Sequence, residues 1–505
     1  MAAPGRGGAV GTGVAVVAGA VALAELLTRI ARSGPGPVEA VAEAFIDLTP
    51  PWLKDLAIGL FGTSDKLALG VGIALVVLAL AAAAGLEERR RGWSGGVAVV
   101  LLGAVAALAA VSRPDGGPAA AWPVAVSALV GAAALVALTP RAAADVPAAR
   151  QEAPGGRAVS RRGLLGGAVA LTAAALAAAS VSRLLGGTAP VARLALPAPA
   201  TRAPPAPPDP TVDGLTPFRT PNAEFYRIDT AFVVPRVDPA TWRLRVVGLV
   251  ERETTLTLDE LLAAPLTEAW VTLCCVSNPV GGDLAGNARW LGLPVREVLA
   301  RARPLPGADM VLSRSVDGFT ASTPLEVLTD DRNALLAVGM NGTQLPAEHG
   351  YPVRLVVPGL YGYVSATKWV TELRVTRFTD ETAYWTERGW SARGPVKTSS
   401  RIDVPRRREV RAGEVVVAGV AWAQHTGIAA VEVRVDGGRW RPAELATDVH
   451  VDAWRQWFYR WTATPGEHVL EVRATDRDGG VQTGERRGTA PDGATGWHRV
   501  EVRVA

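Results

Sequence analysis

TLCCVSNPVGG, residues 272–282, carries both cysteines of a 505-residue chain side by side. Adjacent cysteines allow three readings: a strained vicinal disulfide, a buried apolar pair, or a point where a metal is held. Free cysteine often behaves as a small hydrophobe, so the neighbours decide. Val-Ser-Asn followed by Pro-Val-Gly-Gly puts polar groups and flexible backbone around one sulfur. That is unlike the interior of an apolar strand, and a soft thiolate suits a transition metal. Two cysteines exclude a disulfide framework, a CxxC redox pair, a Cys-rich iron–sulfur site and CxxCH haem attachment.

Working outward, the chain is long enough for about three domains. Apolar residues make up 49% of it and aromatics only 6%, and the Ala, Val and Leu excess lies before residue 190. Apolar runs at about 8–28, 67–86, 95–111 and 119–139 reach spanning length or close to it, and a fifth follows at 163–182. They are apolar all round, as membrane spans are and amphipathic core helices are not. Orientation follows from arginine placement. Arg89, Arg90 and Arg91, and Arg141 to Arg162 farther on, mark cytoplasmic segments. Five spans then leave the N-terminus inside and everything after residue 187 outside. Ser160-Arg161-Arg162-Gly163-Leu164-Leu165 also resembles a twin-arginine export signal, whose pathway moves folded domains. Glu25 is the one carboxylate within these runs, and a helix-end position explains it better than a functional site.

Residues 197–210 (PAPATRAPPAPPDP) predict an extended, semi-rigid tether. Beyond it, 242–250, 351–359 and 368–378 predict strands, and 257–265 and 293–302 short helices. After about residue 400 only strands are expected, five or more at regular spacing, which indicates a β-sandwich. The formal charge of +4 forms no basic stripe, so no nucleic-acid partner is expected.

TLCCVSNPVGGDLAGNARWLGLPVREVL resembles the molybdenum-ligating segment of the sulfite oxidase family of molybdopterin enzymes. The resemblance extends to FYRIDTAFVVPRVDPATWRLRVVGLV (225–250), to LLAVGMNGTQLPAEHGYPVRLVVPGLYGYVSATKW (335–369) and to the sandwich, covering about 217–505. The apolar runs and the Pro-rich stretch give an N-terminal all-α multi-span membrane domain (1–187) and a Pro-rich linker (188–216) as expectations; the resemblance implies an α+β molybdopterin domain (217–400) and an all-β Ig-like sandwich of dimerisation type (401–505). It implies molybdenum-molybdopterin as cofactor, with Cys275 as metal ligand and Cys274 as a packing residue. Phe225, Tyr226, Arg227, Ile228 and Asp229 would line cofactor and substrate. His349 and Arg354 match the family's pterin contacts, and Thr367 and Lys368 fall where it grips the phosphate. A buried phosphoester does need cationic donors, and arginine offers a bidentate fork.

Departures matter as much. Pro279 and Val280 stand where sulfite-oxidising members continue into arginines, and Trp390 stands where they have a tyrosine. Of the anion-binding set Arg227 alone persists, so sulfite is expected to be a poor substrate. No histidine precedes His349, so the spans cannot carry bis-histidine haem, and electrons are expected to pass to a separate protein. The leading expectation is therefore a multi-pass cell-membrane oxidoreductase with Cys275, Arg227 and Trp390 at its catalytic centre. It would transfer an oxygen atom to or from a small molecule at the extracytoplasmic face, as a possible homodimer. The alternative is a catalytically inactive membrane-anchored binding or assembly protein that retains the molybdopterin fold. A transporter is disfavoured because the spans carry almost no polar path.

Overall fold

Four helical stretches, Gly7–Ala31, Ala68–Arg91, Ser94–Val111 and Pro118–Leu138, are long and apolar enough to cross a membrane. The computed structural model describes residues 6–31, 33–50, 53, 65–113, 116–139, 193–208, 210–406 and 409–505. The expected fifth run, 163–182, and the Arg161-Arg162 pair lie outside the described residues. The chain divides into two units, 1–190 with Thr230–Val233, and the remainder.

In the first unit, small residues let helices approach closely. A side chain at Gly13 would meet the Ala81 carbonyl and the Gly85 backbone, and one at Gly85 would meet the Ala9 carbonyl. Small residues four apart on facing helices are a common means of close packing where water drives nothing together. The helix Asp65–Arg91 runs beyond the expected apolar run, so Glu25 is not alone as a carboxylate within the spans. Glu88 is buried and accepts from Gly96 N at 2.9 Å, capping the helix Ser94–Val111, whose flanking Trp93 offers no side-chain cap. Glu25 similarly accepts from Val38 N (3.3 Å), in the first turn of the helix Pro37–Leu48. Both carboxylates satisfy main-chain donors at helix starts that have no partner within their own helix.

The second unit begins with the Pro-rich segment. It is extended, as its composition predicts, but it is docked along the domain. Ala200 N bonds Leu266 O (2.8 Å), Glu268 N bonds Thr201 O (2.8 Å), and Trp270 Nε1 bonds Pro204 O (2.8 Å). Proline suits such an edge because it has no N–H to leave unpaired.

Two sheets follow, the first mixed and the second wholly antiparallel. One runs Thr254–Thr257, Arg243–Gly248, Val370–Thr376, Met310–Ser315, Thr320–Pro324. The other runs Thr267–Cys274, Ala285–Pro294, Leu335–Met340, Thr343–Gln344, with Arg354–Val356 also paired to Leu335–Met340. The expected helix at 293–302 starts at Val295, because Leu293 and Pro294 complete a strand paired with Leu335–Met340. The helix Leu258–Ala263 starts on a reciprocal cap: Thr257 Oγ1 accepts from Glu260 N, and Glu260 Oε2 accepts from Thr257 N.

After residue 398 two antiparallel-dominated sheets of four and five strands enclose a core that includes Val417, Val433, Trp457, Leu470 and Val502. Their strands Gly413–Trp422, Ile428–Val435, Arg455–Ala463, Gly466–Asp476 and His498–Val504 lie where the alternating runs predict them. Val420 and Trp422 of these sheets, with Trp454 just before the strand Arg455–Ala463, join the core of the preceding residues, so the two share buried surface.

Candidate active site

Cys274 is the last residue of the strand Thr267–Cys274 and pairs with Ala285. Cys275 is therefore the first residue of the connection 275–284. Its own N–H bonds Leu284 O (2.9 Å), while Asn278 Oδ1 accepts from Leu284 N (3.0 Å) and closes the loop. The two sulfurs have different partners. Cys274 shares a core with Trp270, and Gln424 Nε2 donates to its sulfur at 3.3 Å. Burial pushes the Cys274 thiol up to about 12. Cys275 follows Leu273 and Val271, which pack with Phe225, Trp290 and Tyr351. Burial raises its thiol as well, opposed by hydrogen bonds from Ser277.

On that side the structure brings together most of the expected residues. Phe225 stacks on Tyr226 (5.3 Å) and meets the rings of Trp290 and His349 edge-on. His349 Nε2 lies 3.0 Å from Asn222 O, so Nε2 carries the hydrogen and Nδ1 is an acceptor. That Nδ1 is buried without a partner among the described residues. Burial, then the Arg354 and Lys368 charges, hold the imidazole down to about 4, hence neutral.

Arg354, 4% exposed, donates to the carbonyls of His349, Leu355 and Ala366, each at 3.2 Å, and lies over the Trp290 ring. No carboxylate among the described residues pairs with it, and burial lowers it to about 10. Lys368 Nζ bonds Asp229 Oδ2 (2.7 Å) and Glu348 O (3.0 Å), and burial lowers it to about 8 against the pull of Asp229. Arg227 Nε bonds the same Asp229 oxygen at 2.9 Å. Thr367 is fully buried, its hydroxyl 2.7 Å from that of Ser313.

Two expected residues sit elsewhere. Ile228 is 41% exposed, outside the buried cluster. Trp390 packs on Tyr363 (6.0 Å) and Trp385 (6.4 Å), in the core that holds Cys274. The sequence reading missed Tyr361 and Tyr363, which flank Gly362. A side chain at Gly362 would lie 3.7 Å from Cys274 O and 3.8 Å from Tyr226 Oη. Their signal was two of only six tyrosines within one buried run, GLYGYV. It also missed Asn222 and Asn341, which hold the His349 side: Asn341 Nδ2 donates to Thr220 O and Asn222 Oδ1.

The donor set answers the fit question. A buried guanidinium lacking a counter-charge calls for an anion, an orphaned imidazole acceptor calls for an N–H donor, and a buried thiol is a soft ligand once deprotonated. A phosphorylated pterin that carries a metal supplies all three partners. The family profile for the oxidoreductase molybdopterin binding domain matches residues 231–385. Chicken (Gallus gallus) sulfite oxidase is 31% identical over 339 residues, covering 56% of this chain and 72% of that protein. The chain belongs to the sulfite oxidase family. Mitochondrial sulfite oxidase of Mus musculus is 30% identical over 343 residues, covering 57% of this chain. The match spans 62% of that relative's length. Sulfane dehydrogenase SoxCD from Paracoccus pantotrophus has the same fold, with a TM-score of 0.50 and 24% identity over 58% of this chain and 82% of its own. As a sulfite oxidase family member, the chain has a molybdenum-cofactor domain, and His349, Arg354 and Lys368 are the residues whose environments suit it.

Proposed function

We propose that this chain is a membrane-anchored, molybdopterin-dependent oxidoreductase that moves an oxygen atom to or from a small molecule on the extracytoplasmic face. The observation that carries the reading is a convergence around Phe225 and Tyr226, the latter within electrostatic reach of Cys275 and Arg354: an Nδ1 of His349 and a charge of Arg354 that no group among the described residues satisfies. Arg354, with Lys368 and Thr367, would hold the phosphate, His349 Nδ1 would accept from the pterin, and the Cys275 thiolate would bind the metal. When bound, the cofactor supplies the two-electron change that accompanies gain or loss of the oxygen atom. The chain's own part is positional. Asn278 fixes the loop behind Cys275, Asp229 holds Arg227 and Lys368 on one carboxylate, and Phe225, Tyr226 and Trp290 keep water from the cluster.

The four apolar helices, with Arg89–Arg91 closing one of them, support a multi-pass anchor and a cytoplasmic position for that end. Domains at 217–400 and 401–505, the second Ig-like and dimerising, belong to the same proposal, as do Arg161-Arg162 as a twin-arginine signal and a separate electron-transfer protein. Full-length protein purified in detergent from a host that makes the cofactor should contain about one molybdenum and one pterin per chain. It should also reduce or oxidise at least one member of a panel of sulfoxides, N-oxides and sulfite with a redox dye. Folded protein with no molybdenum would overturn the proposal in favour of an inactive binding or assembly role.

A further inference from the structure

Glu88 Oε2, by accepting from Gly96 N at 2.9 Å, ties the arginine-rich end of the helix Asp65–Arg91 to the start of the helix Ser94–Val111. Ser94 Oγ donates to Glu87 O (3.0 Å) across the same junction. From this point a groove of about 570 Å³ opens between Ser94–Val111 and the helix Ala121–Leu138. Small residues (Gly96, Ala132 and Ala133) and branched ones (Val100, Leu101 and Val136) line it. A side chain at Gly96 would stand 3.1 Å from Val136 Cγ2, so the glycine is what lets the two helices close there. Trp93, 66% exposed, is the only lining residue with a polar side-chain atom.

The lining decides what fits. A quinone ring would bring oxygens that need donors, and one indole N–H is all that the lining side chains offer. Hydrocarbon needs none. From Trp93 to Leu101 the groove follows about 12 Å of helix, most of one leaflet of a hydrocarbon core about 30 Å thick. Tryptophan favours the membrane–water boundary. The groove thus runs inward from that boundary and matches a chain of a lipid in a single leaflet.

Charge at the boundary selects the headgroup. Arg89, Arg90 and Arg91 end the preceding helix, and only Gly92 separates them from Trp93. Arg90 and Arg91 share Glu87, at 3.0 and 4.0 Å, with side chains 64% and 78% exposed. Arg89 has no carboxylate partner among the described residues, and its Nε has no hydrogen-bond partner there either. Glu88 is committed to Gly96 N. Three cations meet two carboxylates, which leaves surplus positive charge beside the groove.

We propose that this groove holds one acyl chain of an anionic glycerophospholipid whose headgroup rests on Arg89–Arg91. The site rests on the membrane-anchored part of the function proposed above, and it gives the apolar helices a specific ligand. Each arginine beside the headgroup should strengthen binding about fivefold.

The test is native mass spectrometry of the full-length protein, stripped of lipid in detergent and titrated with phosphatidylglycerol or phosphatidylcholine of identical acyl chains. The first lipid bound should be phosphatidylglycerol, with at least a fivefold preference. Arg90→Gln/Arg91→Gln should remove that preference, and Arg90→Lys/Arg91→Lys should keep it. Ala133→Phe/Ala137→Phe and, independently, Val97→Trp put bulk into the groove from exposed positions. Both should weaken the first lipid at least tenfold at an unchanged melting temperature. Equal native affinity for the two lipids would overturn the site. So would native affinity in both groove variants, which would leave only a diffuse electrostatic attraction. Native protein that stays monodisperse without detergent would sink the membrane anchor and the site together, whereas protein that needs detergent but fails the titration sinks the site alone.

Discussion

Arg354→Met is the sharpest test of the cofactor cradle, because it removes a buried charge that no carboxylate among the described residues balances. Three of the five guanidinium N–H groups go to the carbonyls of His349, Leu355 and Ala366, leaving two for a ligand. Charge-assisted hydrogen bonds are worth about 1.5–3 kcal/mol each. Losing two therefore weakens phosphate binding by about 3–6 kcal/mol, roughly 10²–10⁴-fold. The empty protein responds differently. Removing an uncompensated buried charge relieves several kcal/mol of desolvation, while the three carbonyls lose a donor, so the two effects oppose. The expected outcome is a variant whose melting temperature shifts little but which loses molybdenum and pterin on prolonged dialysis. Arg354→Lys should retain an intermediate amount, since a point charge replaces the fork. The assay is metal analysis and pterin fluorescence per mole of chain beside a thermal melt. Full molybdenum retention by Arg354→Met would refute the reasoning, and so would collapse of the fold with Arg354→Lys unable to restore it.

Cys275→Ser should abolish molybdenum retention, whereas Cys274→Ala should cost about 1–2 kcal/mol in unfolding measurements and keep the metal; the reverse pattern moves the ligand by one residue. Replacing Arg161 and Arg162 by Lys keeps the positive charge but should trap residues 188–505 inside the cell, read by protease accessibility, and normal exposure would reduce the pair to a topology flank. His349 and His498 are both held down to about 4 by burial. Unfolded histidine titrates near ~6.5, so between these values the unfolded chain binds more protons at these two positions; their contribution to stability is complete above about pH 6.5 and falls towards pH 4. Denaturation should show a loss of up to about 2.7 kcal/mol per pH unit across that window, roughly halved in His349→Gln, and a flat profile would contradict it.

What the chain disclosed in advance was local. The apolar runs, the alternating strands after residue 400 and the polar neighbours of Cys275 each carry their signal within a dozen residues. The strand that ends at Cys274 was not anticipated, because Thr267–Cys274 is buried along most of its length and carries no alternation of apolar and polar residues. What remained hidden spans long separations. Gln424 reaches Cys274 across 150 residues, Trp454 N reaches Thr272 Oγ1 across 182, and Arg401 reaches Gly282 O across 119. Nothing periodic marks such partners. The docking of residues 193–204 was likewise illegible, because proline content predicts an extended shape but says nothing about what it lies against. Glu88 was missed because its helix continues past the apolar run, and Tyr361 and Tyr363 because their neighbours read as ordinary core.

The loop that presents Cys275 is finished from far downstream. Arg401 Nη1 holds Gly282 O at 2.7 Å, the His498 ring fills the space beside Gly281, and Ile402 N bonds His498 Nδ1. During synthesis the loop 275–284 therefore takes its final shape only after residue 498 has left the ribosome and its strand has joined the sheet. A chain shortened before His498 would lack the imidazole that abuts Gly281 and receives Ile402 N, and would leave the turn after Cys275 without its downstream support.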